Sequence, residues 1–228
     1  MKPFVKMAEA QTADGEKWEL WERAGLRFLT LDGVLHASCS NSGVDEAMVG
    51  YGVSPVVRAN RPAFLFAGVG LGFALAAATR AVHREKARFV VAEPCRELVE
   101  WNRTLLADIH PGLWEDARIS VESSRADETA RKNPDSFHAI FLNFLHGPCA
   151  LNTQSAGDYF GALKQGGLLV VSLPRPDKKI ENLLRRAGFD VSTADAPISG
   201  KSRRPRFHTL TLGRRGRYIS SHQRRRSS

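Results

Sequence analysis

The sequence predicts an α/β protein in which a doubly wound, mostly parallel seven-stranded sheet follows a small antiparallel β meander. Three observations carry that prediction. Ala63-Phe64-Leu65-Phe66-Ala67, opened by Pro62, is a short apolar run with the composition of a buried strand. The alternate glycines of Gly68-Val69-Gly70-Leu71-Gly72 come next, and the Ala/Leu-rich segment from Phe73 to Thr79 continues without a breaker as a helix. About 20 residues further on, Phe89-Val90-Val91-Ala92 ends in Glu93, where such folds place an acid that accepts hydrogen bonds from ribose hydroxyls. Strand, glycine turn and helix make a nucleotide-binding corner. Gly68, Gly70 and Gly72 let the backbone turn sharply and let a ligand reach the helix N-terminus without meeting a Cβ. A purely structural turn is the alternative reading.

Length and composition bound the rest. A chain of 228 residues holds one such domain plus a small addition, and a hydrophobic fraction of 43% supports a sizeable core. The longest apolar run, Ala63 to Ala78, is too short and too glycine-rich to span a bilayer. Met1 to Glu9 has no apolar stretch of signal-peptide length. Cys39, Cys95 and Cys149 are an odd set without metal-ligand spacing, which suits a reducing compartment; the expected location is cytoplasmic, with no metal and no membrane span. The net charge of +9 is uneven. From Ile198 onward there are ten Lys or Arg and no acid, leaving 23 basic against 24 acidic residues before it.

Taken in order, residues 1–15 read as a flexible start. Residues 16–41 form the meander: Trp18 to Arg23 and Leu26 to Leu31 alternate about Ala24-Gly25, and Asp32-Gly33 turns into Val34 to Cys39. Residues 42–212 form the α/β domain. Ser42 is the expected N-cap of a helix toward Val53, with Asp45 and Glu46 in its first turn. Further strands are expected at Lys86–Glu93, Arg118–Val121, Phe137–Leu142, Leu168–Ser172, Phe189–Ser192 and Phe207–Leu212. Helices are expected at Arg96–Ala107, from Asn152 or Ser155 to Lys164, and at Asp177–Arg186, with Gln165-Gly166-Gly167 closing the second of these. Residues 213–228, with Arg214-Arg215-Gly216-Arg217 and Arg224-Arg225-Arg226, read as a disordered basic tail. Such a tail offers a weak contact to nucleic acid or to an anionic membrane surface, or serves only solubility.

Several segments together resemble the spermidine synthase-like proteins, over about Lys17 to Leu212. They are Leu31-Asp32-Gly33-Val34-Leu35, the glycine turn, Glu93 to Arg103 with Val99-Glu100-Trp101-Asn102-Arg103 as its most specific piece, Asn143 to Pro148, and Gly166 to Val171. The tight G-x-G-x-G turn is likewise similar to that of S-adenosylmethionine-dependent enzymes. The resemblance implies a Rossmann-like methyltransferase fold behind an N-terminal β domain. It implies S-adenosylmethionine or decarboxylated S-adenosylmethionine as the bound nucleoside, and a homodimer is an open possibility for the assembly. Active members of the family transfer an aminopropyl group to an amine.

The departures from the family pattern fall at the chemistry. Where active members carry two aspartates after the fourth strand, this chain has Asn143 and Leu145; Leu71 and Cys95 replace two further acids, and Ser124 stands where an adenine-contacting acid is expected. Asn143 orients by hydrogen bonds but offers no carboxylate, and His146 is the nearby imidazole that would replace one; a capping role and a surface position are the respective alternatives. The sequence therefore reads as a spermidine synthase-like nucleoside-binding protein whose transferase chemistry is altered or lost. A methyltransferase, which needs no compulsory base, and a non-catalytic interaction protein are the alternatives.

Overall fold

A computed structural model describes residues 2–12, 14–56, 58–143, 151–198 and 206–216. The chain begins with an antiparallel sheet in the order β1-β2-β3-β4, formed by β1 (Val5–Gln11), β2 (Lys17–Arg23), β3 (Leu26–Leu31) and β4 (Val34–Ser38). At both tight turns the two central residues take positive φ, 54° and 80° at Ala24-Gly25 and 49° and 75° at Asp32-Gly33, the twist that suits two-residue hairpins.

The start of the chain departs from expectation. Val5–Gln11 is a strand paired with β2, not a flexible lead. Met7, Ala8 and Ala10 pack against the core, and the Lys6 ammonium reaches Glu9 at 2.8 Å and Glu19 at 2.7 Å and lies 5.1 Å from the centre of the Trp21 ring. Small partly buried apolar side chains and a cross-strand Lys6–Glu19 pair together hold the segment on β2. Hydrogen bonds from Lys6 and Lys17 bring the Glu19 carboxyl down to about 2.

The main sheet comprises β5 (Ala63–Ala67), β6 (Arg88–Ala92), β7 (Ile119–Glu122), β8 (Phe137–Asn143), β9 (Leu163–Leu173), β10 (Phe189–Pro197) and β11 (Phe207–Arg215), in the order β10-β11-β9-β8-β5-β6-β7. Only β11 runs against its neighbours. This is the mostly parallel seven-stranded sheet that the sequence predicts. The chain winds one way from β5 to β7 and the other way from β8 onward, so the order reverses between β5 and β8. The crevice at the C-terminal ends of those strands is where doubly wound sheets bind ligands.

Among the described residues six helices cover the sheet: α1 (Ser42–Val53), α2 (Phe73–Ala81), α3 (Arg96–Arg103), α4 (Ala126–Lys132), α5 (Thr153–Ala162) and α6 (Lys178–Arg186). On one face Phe64, Phe66, Phe89 and Phe141 pack against α1, α2, α3 and Trp18, Leu20 and Leu29 of the meander. On the other, Leu65, Ile140, Leu142 and Leu169 pack against α4, α5 and α6. The meander is thereby joined to the core beside the crevice.

Local differences have local causes. Ser42 lies inside α1, and Ser38 is the capping residue instead, accepting from the Ser40 N–H of a 3-10 turn that leads into the helix. The helix α4 is absent from the sequence reading because it is short and buries only Ala126, Thr129 and Ala130. Gln165-Gly166-Gly167 does not close a helix: α5 ends at Ala162, and the glycines sit within β9, whose register with β8 jumps from Phe137↔Leu163 to Ala139↔Leu168. The expected tail begins too early, because β11 continues through Arg215. The Arg215 guanidinium bonds the Asp135 carboxylate and the Gly161 and Leu163 carbonyls. Residues 217–228 lie outside the described residues. Among the described residues no helix is long and apolar enough to cross a membrane.

Truncation after Leu212 should therefore lower Tm, because it cuts a strand paired on both sides, and Arg215→Ala alone should account for about 2–4 °C of the loss. Thermal unfolding of the two variants checks this; an unchanged Tm on truncation would contradict the role given to the end of β11.

Candidate functional site

The crevice opens into a cleft of about 1310 Å³, open mouth included. The glycine turn lines it at the end of β5, Glu93 and Pro94 beyond β6, Asp45 and Met48 from α1, Asn143 at the end of β8, and Trp18 and His36 from the meander. The site lies between the two parts of the chain, as ligand sites often do.

Glu93 is 5% exposed. Its Oε2 accepts the Val69 N–H at 3.0 Å and its Oε1 accepts the Cys95 N–H at 2.9 Å. Burial nevertheless raises its pKa to about 7, because these two bonds only partly offset the loss of hydration. Each oxygen keeps a further lone pair for a donor in the cleft.

The turn itself is built on φ values of 83°, 52° and 81° at Gly68, Gly70 and Gly72, a region where glycine carries little steric cost. These glycines do different work. Nothing lies within 4 Å of a Cβ built on Gly70, which faces open space. A Cβ on Gly72 would stand 2.9 Å from Asn102 Oδ1 and 3.0 Å from the His110 ring. Gly72 does not line the cleft and packs against Asn102 and His110. Asn102, buried in α3, donates from Nδ2 to the Gly70 and Leu98 carbonyls, 2.9 Å each. His110 Nε2 lies 3.1 Å from the Leu71 carbonyl oxygen, an approach that needs the proton on Nε2. Burial lowers the His110 pKa and favours the neutral ring.

At the other side of the cleft Asn143 Nδ2 donates to Asp45 Oδ1 at 3.0 Å. Sequence reading leaves Asp45 as a first-turn helix acid; the fold brings it against a residue 98 positions away. Burial raises its pKa to about 7, with the Asn143 hydrogen bond acting in the opposite direction. Asn143 Oδ1 is buried and has no partner among the described residues. Further acids, Asp14 and Glu16, line the cleft from the meander side together with Arg125, and burial and Asp14 raise the Glu16 pKa.

Ser124 does not line the cleft. Its hydroxyl shares a 2.8 Å hydrogen bond with Thr129, which donates to Glu122, so the side chain is engaged at the start of α4. His146 and Leu145 lie outside the described residues. Cys95 is buried, and burial lifts its thiol to about 11, far from a reactive thiolate. Among the described residues no group of three or more His, Cys, Asp or Glu is placed to hold a metal ion.

A glycine turn, a strand-end acid and a reversal of strand order in a mostly parallel sheet define a Rossmann-like fold of the methyltransferase type. No family model matches the chain, and no curated protein matches it in sequence. The solved structures agree on the fold. Spermidine synthase from Thermotoga maritima is similar with a TM-score of 0.73 and 16% identity over 92% of this chain and 73% of that one. A spermidine synthase in complex with the transition-state analogue AdoDATO gives 0.71 and 16% over 92% and 72%. The Burkholderia thailandensis 1,6-didemethyltoxoflavin-N1-methyltransferase, with bound 1,6-didemethyltoxoflavin and S-adenosylhomocysteine, gives 0.55 and 15% over 78% and 80%.

Two outcomes follow from this geometry. Gly72→Ala should cost more folding free energy than Gly70→Ala, since both replace a positive-φ glycine at about 1 kcal/mol or more but only the first drives a methyl group into Asn102. Chemical denaturation of both variants decides it, and equal losses would contradict the packing role. The second concerns pH. The folded pKa values of Glu93 and Asp45 lie above their ordinary values, so the folded state binds more protons between the two. Their contribution to stability is full below about pH 4 and is lost as pH rises through about 7. Unfolding free energy should fall across that window by roughly 3–4 kcal/mol per group at most. A rise there would reverse the assigned shifts.

Proposed function

We propose that this protein binds a sulfonium nucleoside, S-adenosylmethionine or its decarboxylated form, and transfers an alkyl group from it to a small acceptor. The observation that carries this reading is Glu93, held by Val69 N–H and Cys95 N–H at the end of β6 with lone pairs to spare beside the glycine turn. Its carboxylate accepts the ribose hydroxyls. The open space over Gly70 admits the sulfonium end of the molecule. The residues present fit such a nucleoside: an orienting acid, a turn that a Cβ would obstruct, and an apolar lining from Phe66, Leu71, Phe73 and Leu98. When bound, the nucleoside supplies a carbon activated by a neighbouring positive sulfur. The protein places an acceptor in line with that carbon and keeps water away.

Trp18 and His36 of the meander line the cleft opposite the ends of the main-sheet strands, which supports an acceptor held between the meander and the main sheet. Those two rings meet edge to face at 4.8 Å.

Isothermal titration with S-adenosylmethionine, decarboxylated S-adenosylmethionine and methylthioadenosine tests the reading. At least one should bind to the wild-type protein, and Glu93→Ala should weaken that binding about 10- to 100-fold, as expected for a lost charged hydrogen-bond acceptor. The same variant should also melt earlier, because the Val69 and Cys95 N–H groups lose their partner. Failure of all three nucleosides to bind would overturn the proposal.

A further inference from the structure

The end of the main sheet opposite the cleft carries a second recess, about 850 Å³ with its open mouth included. Tyr51 of α1 and Ser54 and Pro55 of the turn after it line one side, with Leu168, Leu212 and Arg214 from the sheet. Strand register separates it from the cleft: Leu168 lies opposite Ala139 and Arg214, whereas the cleft residue Asn143 lies opposite Ser172. We propose that this recess is a docking groove for single-stranded nucleic acid, with a base stacked on Tyr51 and phosphates held by the arginines around it. Binding there is independent of the nucleoside reading, because it uses no residue of the cleft.

Three observations meet here. Tyr51 is left 43% exposed, in a recess whose other lining includes Leu168 and Leu212. An aromatic ring so placed is a stacking platform for an unpaired base, whatever the base. Arg214 donates from Nη1 to the Gly166 carbonyl at 3.0 Å, which anchors a guanidinium at the same recess. The planar fork of arginine suits the paired oxygens of a phosphate. The chain then carries charge outward from the groove. Arg58 and Arg61 lie between Pro55 and β5, Arg84 and Lys86 lie in the turn before β6, and all four are exposed. The Arg88 N–H donates to the Pro62 carbonyl at 2.9 Å, so the two segments are neighbours. Among the described residues none of the four cations takes part in an ion pair.

Acids at this end do not cancel that charge. Asp116 is taken up by Arg118 at 2.6 Å and Asp135 by Arg215; Glu85 sits among the cations of the turn, and Asp190 is the register partner of Arg214. Residues 217–228, which follow from the end of β11, add four arginines and no acid. A surface of this sign draws polyanions, and phosphate contacts supply most of their affinity. The type of polyanion follows from Tyr51. A membrane surface is held by apolar side chains that insert, and the other exposed large apolar residues lie in or next to the meander or, as Phe207, at the opposite end of β11. A duplex keeps its bases stacked on one another, so only an unpaired strand offers a base face to the ring.

The test uses the full chain and a short fluorescein-labelled strand of mixed sequence, as RNA and as DNA, read by anisotropy at several salt concentrations. At least one strand should bind, and the tighter of the two identifies the sugar that the groove accepts. Tyr51→Ala should weaken that binding about 10-fold and leave its salt dependence unchanged. Arg58→Gln with Arg61→Gln should flatten the slope of log affinity against log salt by about 1.4, two phosphate contacts at about 0.7 each. The changed residues are exposed, and melting curves check that both variants fold. Crosslinking of a thiouridine-containing strand to the wild-type protein, mapped by mass spectrometry, should fall on the peptide that holds Tyr51. A chain ending at Gly216 should bind more weakly but keep the effect of Tyr51→Ala. The groove would be overturned by no binding of either strand, by wild-type affinity in Tyr51→Ala, or by equal affinity for a duplex. Loss of all binding on removal of residues 217–228, or competition by S-adenosylmethionine, would overturn it too. Vesicles of phosphatidylcholine and phosphatidylserine supply the membrane arm: tighter capture by them than by either strand would assign the surface to lipid and remove the proposal.

Discussion

The glycine turn, the end of β6 and the start of α3 meet on one carboxylate. Glu93 accepts from Val69 in the turn and from Cys95 at the N-cap of α3, so a single side chain ties two loop backbones to a strand end. The arrangement is not the most stable available. Without a cation beside it, burial leaves the acid at about 7, and each unit of that shift represents about 1.4 kcal/mol of disfavoured charge. Strained ionisation of this kind recurs at functional positions, where it is relieved by a ligand that donates hydrogen bonds. Asn102 and His110 complete the frame from behind by engaging the Gly70 and Leu71 carbonyls.

The parts of the fold legible in the sequence are those whose signal is local. Ala63–Ala67, Arg88–Ala92 and Phe137–Asn143 are buried parallel strands, and continuous apolar runs reveal such strands directly. The turns at Ala24-Gly25 and Asp32-Gly33 are written in their dipeptides. Elements held by distant partners are not legible in this way. β1 rests Met7, Ala8 and Ala10 on a core built by distant residues and meets Glu19 through Lys6, and its sequence alone suggests a flexible lead. The role of Asn102 lies within the Val99 to Arg103 segment that carries the family resemblance, but spacing does not say that its amide braces the Gly70 carbonyl.

The same distinction governs the acids of the cleft. Reading along the fourth strand, one finds Asn143 and Leu145 and infers that proton-accepting capacity is missing. In three dimensions the question is which carboxylates line the space, and there Asp45 arrives from α1 while Asp14 and Glu16 arrive from the meander side. Chain position and site position are related only through the fold, so loss of an acid at one sequence position does not establish loss at the site. The meander thus has a chemical part as well as a packing one. It lines the cleft with Trp18 and His36 and adds the carboxyl groups of Asp14 and Glu16 to its wall.

What fixes Asp45 in place is the docking of α1. A Cβ on Gly43 would stand 2.6 Å from the Pro197 carbonyl oxygen, and one on Gly52 would stand 2.5 Å from the Phe141 ring. The helix therefore rests on β10 near its first turn and on β8 near its last, closer than any side chain would permit. Phe141 in turn stacks on Phe66 at 5.0 Å, which connects the helix to the strand that feeds the glycine turn. Tight packing of this sort transmits small volume changes instead of absorbing them. The two glycines of α1 therefore set the distance between Asp45 and the end of β8.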